Sequence, residues 1–204
     1  MRNLAVLSLK SFILIIVSAL FIGWGDTWDK IKKTSKEIVS VEAEFVQKKH
    51  MEILAKPLVS KGKFYFQAPK SLRWEYTSPI KSTLLMHGGS VKRYIKRGDT
   101  ITQDSSAGLQ SMQIMIQEMT LWLKGDFDKN PSFIPELKKG RIIVLTPRDK
   151  SLADIIQSIE LKLSNTPGII RSVIIYESKK SYTVIEFSKV TINSPLPAPL
   201  FKEL

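Results

Sequence analysis

The sequence contains no cysteine and only two histidines among its 204 residues. Without cysteine, the chain can form no disulfide and cannot be acylated on an N-terminal cysteine. His50 and His87 have no second histidine or paired glutamate at metal-ligand spacing, so neither a zinc site nor a nucleophilic triad is expected. Each is interpreted as a surface residue at the end of a strand. We therefore predict no catalytic residue, no metal site and no cofactor.

Two further arrangements that support catalysis in other proteins are not recognised in the sequence: a phosphate-binding loop and a pair of catalytic carboxylates. Gly88-Gly89 is followed by neither a helix nor a lysine, so it is not a phosphate-binding loop. Glu42 and Glu44 share one face of an expected strand, which is typical of a solvated surface. Asp99 flanks a hairpin turn, where aspartate serves turn geometry. An enzyme is therefore the least favoured class.

The longest apolar stretch lies near the N-terminus, at residues 11–24, and is shorter than the ~20 residues that a membrane span needs. It follows Arg2 and Lys10 and contains no charge, which is the order typical of a secretory signal. Gly23 and Gly25 are small residues that would permit cleavage. We expect residues 1–25 to be a cleaved signal peptide, with a retained N-terminal anchor as the alternative.

The remaining residues, 26–204, are expected to form a single domain. Cleavage would remove two basic residues and no acidic ones, which lowers the net charge from +12 to +10. Such an excess favours anionic partners, although the basic residues are scattered and also suit a plain solvated surface. Export makes nucleic acid the least favoured of these partners.

Segments of alternating apolar and polar residues, separated by turn residues, dominate the chain after residue 40. This period of two, with regular turns, predicts an antiparallel meander. Strands are expected at 41–47, 59–67, 71–77, 81–86, 90–96, 100–104, 141–146, 159–163, 169–176 and 182–187. Phe64 and Phe66 share a face of one strand and Trp74 faces inward from the next, whereas Arg73 points the opposite way. One side of the sheet is thus expected to be apolar and aromatic.

Two helices and a helical turn are expected beside these strands. The first helix spans 27–39, with Thr27 suited to its N-cap, and the turn lies within 152–158. The second helix spans 107–124, where apolar residues recur at intervals of three and four, as on the buried stripe of an amphipathic helix. The fold class is therefore α+β and mainly antiparallel β.

Three ordered segments carry a family resemblance. They are F-x-Q ending at Gln47, S-x-G-x-F beginning at Ser60, and P-x-x-L-R-W-E-Y beginning at Pro69. Together with the N-terminal signal, this order resembles that of the periplasmic outer-membrane lipoprotein carriers of the LolA family. The order of elements agrees over nearly the whole chain after residue 26, including Asn193-Ser194-Pro195-Leu196.

The resemblance implies an incomplete, strongly curved antiparallel barrel covered by helices, with an apolar cavity for the acyl chains of a lipoprotein. It implies a non-enzymatic chaperone in the periplasm of a Gram-negative-type bacterium. Its partners would be acylated lipoproteins, an inner-membrane lipoprotein-releasing transporter and an outer-membrane acceptor. The protein would act as a monomer and bind no nucleic acid.

An acyl-chain site needs apolar surface rather than hydrogen-bonding groups, since burying each CH₂ contributes about 0.8 kcal/mol. Methionines on a covering helix suit variable apolar guests, because their side chains are flexible. The same residues would equally suit a plain hydrophobic core. The expected lining of the cavity is Phe45, Phe64, Phe66, Leu72, Trp74, Leu84, Met86, Leu109, Met112, Met115, Ile116 and Met119.

One position departs from the family pattern. The resemblance implies a basic residue immediately before the proline of the third segment, where it helps to latch the helical lid, but here that residue is Ala68. Two alternatives therefore stay open. One is a carrier or sensor for another lipid or glycolipid, and the other is a non-catalytic envelope module whose apolar face packs against a partner protein.

Overall fold

The computed structural model describes residues 27–88, 90–104, 109–166 and 168–203, without the side chains of residues 109–115. The expected signal peptide at residues 1–25 lies outside the described residues. Across the described ranges, no helix combines the length and apolar character that a bilayer span requires.

The core of the fold is one 11-stranded antiparallel sheet with the strand order β6-β5-β4-β3-β2-β1-β11-β10-β9-β8-β7. Its strands are β1 (Ser40–His50), β2 (Leu58–Gln67), β3 (Ser71–Ser78), β4 (Ser82–His87), β5 (Ser90–Arg97), β6 (Thr100–Asp104), β7 (Phe133–Lys138), β8 (Ile142–Pro147), β9 (Ser158–Leu163), β10 (Ile170–Tyr176) and β11 (Tyr182–Ile192).

The first and last strands meet in the middle of the sheet. β1 pairs with β2 on one side and with β11 on the other, with Phe45 opposite Phe187. The two edges are therefore β6 and β7, which do not pair with each other, and the sheet is not closed into a barrel. This confirms the expected incomplete, mainly antiparallel architecture.

Helices accompany the sheet on both faces. They are α1 (Trp28–Lys36), α2 (Leu109–Leu123), α3 (Lys150–Ala153) and a C-terminal 3₁₀ helix (Ala198–Phe201). Thr27 caps α1 as expected, because its hydroxyl accepts a hydrogen bond from the backbone N–H of Lys30 at 3.3 Å. α2 connects the two edge strands, so the chain passes from one side of the open sheet to the other through this helix.

A single hydrophobic core lies between one face of the sheet and the helices. It includes Phe66 and Leu84 from the first half of the sheet, Leu161 from the second half, Ile31 from α1 and Ile116 from α2. Because both halves of the sheet contribute to one core, α1 and α2 cover a continuous apolar surface.

The strands differ from the sequence-based expectation in one element and several boundaries. β7 was not among the expected strands. It contains Pro135, and proline is tolerated in an edge strand, where it need not donate to the ladder. β11 continues to Ile192, five residues beyond its expected end, as the partner of β1. α1 ends at Lys36 rather than at residue 39, and the expected helical turn lies at Lys150–Ala153.

Gly62 permits the close approach of β2, β3 and Phe45. A Cβ atom at this position would lie 2.0 Å from the backbone oxygen of Glu75 and 2.5 Å from Cζ of Phe45. The ring of Phe45 therefore occupies the space above a residue without a side chain. The glycine of the S-x-G-x-F segment is thus a packing requirement of the aromatic interior.

Gly62→Ala is expected to lower the free energy of unfolding by at least about 2 kcal/mol, because overpacking in a tight core typically costs about 1–3 kcal/mol. Urea denaturation measures this loss. The control is Gly98→Asn in a turn where no atom lies within 4 Å, since asparagine tolerates a positive φ. An equal loss in both variants would contradict the packing argument.

Candidate functional site

Five aromatic residues form a cluster on the inner face of the sheet. Phe45 and Trp74 have ring centroids 4.4 Å apart, and Phe45 meets Tyr76 edge-on at 5.3 Å. Phe64 lies 5.6 Å from Trp74, and Phe187 lies 5.8 Å from Phe64. These edge-on and tilted pairs leave no large gap between rings, and such pairs contribute about 0.5–1.5 kcal/mol each beyond the burial of area.

The described side chains among the expected lining residues all lie buried in the same core. Burial suits a hydrophobic core and a lipid cavity equally, so their role in lipid binding stays a prediction. They are Phe45, Phe64, Phe66, Leu72, Trp74, Leu84, Met86, Ile116 and Met119. Leu109, Met112 and Met115 belong to α2, but their side chains lie outside the described part of the structure.

A small apolar cavity remains between α2 and the sheet, with a volume of about 20 Å³. This is little more than the space of one water molecule, so this cavity holds no acyl chain in the present conformation. Its lining consists of Val41, Ala43, Phe64, Met119, Leu123, Ile169, Ile170, Phe187 and Val190. A guest larger than one water molecule would fit here only with α2 farther from the sheet.

Most of these lining residues were not among the expected ones. Val41 and Ala43 alternate with exposed residues on β1, so the period of two could have identified them. Phe187 becomes part of the site only because β11 pairs with β1. No local sequence pattern predicts that pairing. Ile169 directly precedes β10, and Ile170 is its first residue.

Apolar contacts hold the described part of α2 against the sheet. Ile116, Met119 and Trp122 are buried in the core, and the hydroxyl of Thr120 donates to the backbone oxygen of Ile116 at 3.0 Å within the helix. The same hydroxyl also donates to Sδ of Met86 on the sheet at 3.9 Å, a weak hydrogen bond to sulfur. The contacts between this part of α2 and the sheet are therefore mainly apolar, and hydrophobic contacts have no fixed direction.

The position of the implied latch carries no charged group. Ala68 packs against the core, and its backbone N–H donates to the oxygen of Val39 at 2.8 Å. Its methyl side chain offers no charge. Arg73 lies on the outer face, as expected, where its Nη1 donates to the backbone oxygen of Leu200 at 3.3 Å and its Nε pairs with Glu75 at 2.9 Å. Arg73 therefore fastens the C-terminal 3₁₀ helix and not α2.

Glu118 is a carboxylic acid buried within α2, with only 3% of its surface exposed. The side-chain amide of Asn130 donates to its Oε1, and the backbone N–H of Ser132 donates to Oδ1 of Asn130 at 2.8 Å. Burial raises the pKa of Glu118 from 4.5 to about 7, while the nearby indole of Trp122 acts in the opposite direction. Near neutral pH, this residue therefore exchanges between a neutral and a charged form.

Glu118→Gln is expected to stabilise the protein at about pH 8 by roughly 1–3 kcal/mol, with little change at about pH 5. Because the folded-state pKa lies above the ordinary value, the stability of the wild type falls as pH rises from 4.5 to about 7 and then stays low. The neutral amide removes this loss and keeps an acceptor for Asn130.

Urea denaturation of both proteins at the two pH values measures the difference. Gln117→Glu is the matched control, since residue 117 is exposed on the same helix and should add no comparable pH dependence. Parallel pH profiles for the wild type and Glu118→Gln would show that Glu118 is not the responsible group.

The site contains no recognisable catalytic or metal-binding arrangement within the described residues. No group of three or more histidine, aspartate or glutamate side chains there lies close enough to hold a metal ion. His50 ends β1 and stacks on Tyr182 with ring centroids 4.3 Å apart. His87 ends β4 and shares a hydrogen bond with Ser71 at 2.8 Å. Both histidines thus lie at strand ends, as expected.

An open antiparallel sheet whose apolar, aromatic face is covered by helices defines a class of half-barrel proteins. The sequence profile of one family, described as "Outer membrane lipoprotein carrier protein LolA", matches residues 36–203. The chain belongs to the LolA family, which consists of carriers rather than enzymes.

Solved structures show the same fold at low sequence identity. The Pseudomonas aeruginosa MucA/MucB complex is similar with 13% identity and a TM-score of 0.50, over 86% of this chain and 59% of that chain. A DUF1329 family protein from Desulfovibrio piger matches with 11% identity and a TM-score of 0.49, over 86% and 95% of the two chains. A LolA superfamily protein from Nitrosomonas europaea matches with 13% identity and a TM-score of 0.42, over 87% and 98%. No curated protein matches the sequence.

Proposed function

We propose that this protein binds the acyl chains of lipoproteins between α2 and the aromatic face of the sheet and carries them through the periplasm. One observation carries the proposal. In a member of the LolA family, the described part of α2 covers an unclosed apolar sheet mainly through apolar contacts. The apolar contacts that α2 makes with the sheet can be exchanged for contacts between the sheet and an apolar guest.

The energetics of this exchange are favourable. Moving α2 alone would expose a large apolar surface to water, which costs about 25 cal/mol for each Å². An acyl chain entering at the same time keeps that surface covered and also buries its own CH₂ groups, each contributing about 0.8 kcal/mol. The phenylalanine rings of the aromatic cluster, Phe45, Phe64 and Phe187, offer the guest apolar surface and require no hydrogen bonds from it. Acyl chains therefore fit this site better than polar ligands do.

Transport between two membranes extends the proposal. The expected signal peptide would deliver a soluble monomer to the periplasm, where an inner-membrane releasing transporter would supply lipoproteins and an outer-membrane acceptor would receive them. A net charge of +10 after cleavage would draw the carrier toward anionic surfaces of such partners.

Met119→Gln is expected to weaken binding of a fluorescent fatty-acyl probe by about tenfold or more, because it places an amide of similar length among the apolar lining residues. Fluorescence titration measures the dissociation constant. The reciprocal change Gln117→Met lies two residues away on the exposed face of α2 and should leave binding unchanged.

Urea denaturation of both variants separates lost binding from lost folding. A wild-type protein that fails to bind the probe would overturn the carrier proposal. Equal effects of the two substitutions would place the binding site elsewhere.

A second candidate is a carrier for another lipid or glycolipid, which the alanine at position 68 favours, because the lid lacks the basic latch implied by the resemblance. Mass spectrometry of protein purified from the periplasm would identify the co-purifying cargo. Depletion of the protein followed by membrane fractionation provides the cellular test. Lipoproteins accumulating in the inner membrane support lipoprotein transport, whereas a normal distribution of lipoproteins with a bound glycolipid supports the second candidate.

A further inference from the structure

Several turns meet at one end of the sheet. Because neighbouring strands are antiparallel, successive turns alternate between the two ends, and those after β1, β3 and β10 lie at the same end. We call residues 51–57, 79–81 and 177–181 the rim. The turns after β1 and β10 are direct neighbours, since Ser181 Oγ accepts a hydrogen bond from the backbone N–H of Glu52 at 3.3 Å.

The rim exposes large aliphatic side chains. Ile53 is 82% exposed, more than any other large hydrophobic residue in the described part, and Ile80 on the next rim turn is 63% exposed. Leu54 beside Ile53 is 40% exposed. The adjoining start of β2 adds Leu58, which is also exposed. An apolar side chain held in water at a turn tip adds nothing to the core and is available for a partner.

The turn that carries Ile53 is structured. The backbone N–H of Leu54 donates to the oxygen of Met51 at 2.9 Å, which closes the turn. Nζ of Lys180 lies 2.7 Å from a carboxylate oxygen of Glu52 and ties this turn to its neighbour. Ile53 is therefore presented at the tip of an ordered turn.

Basic residues surround these apolar tips. The two carboxylates of the rim are neutralised, since Glu52 pairs with Lys180 and Glu177 pairs with Lys49 at 3.1 Å. Three exposed lysines of the rim form no ion pair among the described residues; they are Lys56, Lys81 and Lys179. The rim thus presents free positive charge beside exposed aliphatic groups.

We propose that the rim docks on an anionic lipid surface, with Ile53, Leu54 and Ile80 entering the interfacial layer and the free lysines contacting lipid phosphates. The apolar tips are separate points on neighbouring turns, interrupted by lysines, and form no continuous groove for a peptide. The turns after β1 and β3 are two strands apart, about 10 Å, so both can touch one flat bilayer. Apolar insertion combined with basic residues is the general requirement for reversible binding to acidic membranes.

This inference deepens the proposed function, because a carrier of acyl chains has to approach a membrane surface. It nevertheless rests on residues distant from the interior site. Loss of membrane docking and loss of acyl binding can therefore be measured separately.

Flotation of the full chain with vesicles of phosphatidylglycerol and phosphatidylethanolamine tests the proposal, with phosphatidylcholine vesicles as the neutral comparison. The wild type is expected to float with the anionic vesicles and to be released by high salt. The double substitution Ile53→Ser/Leu54→Ser should lower the partition coefficient by about tenfold or more. Lys56→Gln/Lys179→Gln should lower it by a similar factor and weaken its salt dependence.

The matched control is Val39→Ser/Ile192→Ser, which removes exposed aliphatic residues at the opposite end of the sheet and should float like the wild type. All rim variants should bind the fatty-acyl probe normally, and Met119→Gln should still float. The proposal would be overturned if the wild type did not float with anionic vesicles, or if the control variant Val39→Ser/Ile192→Ser lost flotation to the same extent as the rim variants. Normal probe binding in that case would leave the carrier function standing and assign the rim to a protein partner.

Discussion

The packing of α2 against an unclosed sheet is the interaction on which the rest of the structure depends. A sheet with two free edges cannot enclose its own apolar face, so some other element has to cover it. α2 is placed to do so because it connects β6 to β7, the two edges themselves. The same connection that completes the core is therefore the part of the core that can be displaced.

The cavity between α2 and the sheet is nearly filled, with a volume of about 20 Å³. Glu118 adds a buried carboxylic acid to the same helix, and Ala68 supplies no charged group to oppose its departure. The cover is thus held mainly by burial of apolar area, which is the interaction that the proposed acyl chain would replace.

Sequence reasoning anticipated the elements that depend on local pattern. The period of two identified most strands, and the inward direction of Phe64 and Trp74 followed from it. Alternation also correctly placed Arg73 outside. These predictions succeeded because strand geometry assigns each residue to a face through its immediate neighbours alone.

What escaped prediction depends on contacts between distant parts of the chain. Phe187 joins the aromatic cluster only through the pairing of β11 with β1, which lie more than a hundred residues apart. β7 carries Pro135 and is recognisable only as an edge. The exposure of Ile53 at the rim is likewise a property of the assembled turns, since isoleucine in a sequence ordinarily indicates burial.

The central position of β1 and β11 also determines when the protein can finish folding. Until residues 182–192 are available, β1 and β10 each lack a paired strand on one side. Contacts of such long sequence separation form slowly, because the intervening chain must first be ordered. In a chain synthesised N-terminus first, the central strand pair can therefore form only after the last strand, β11, has been made.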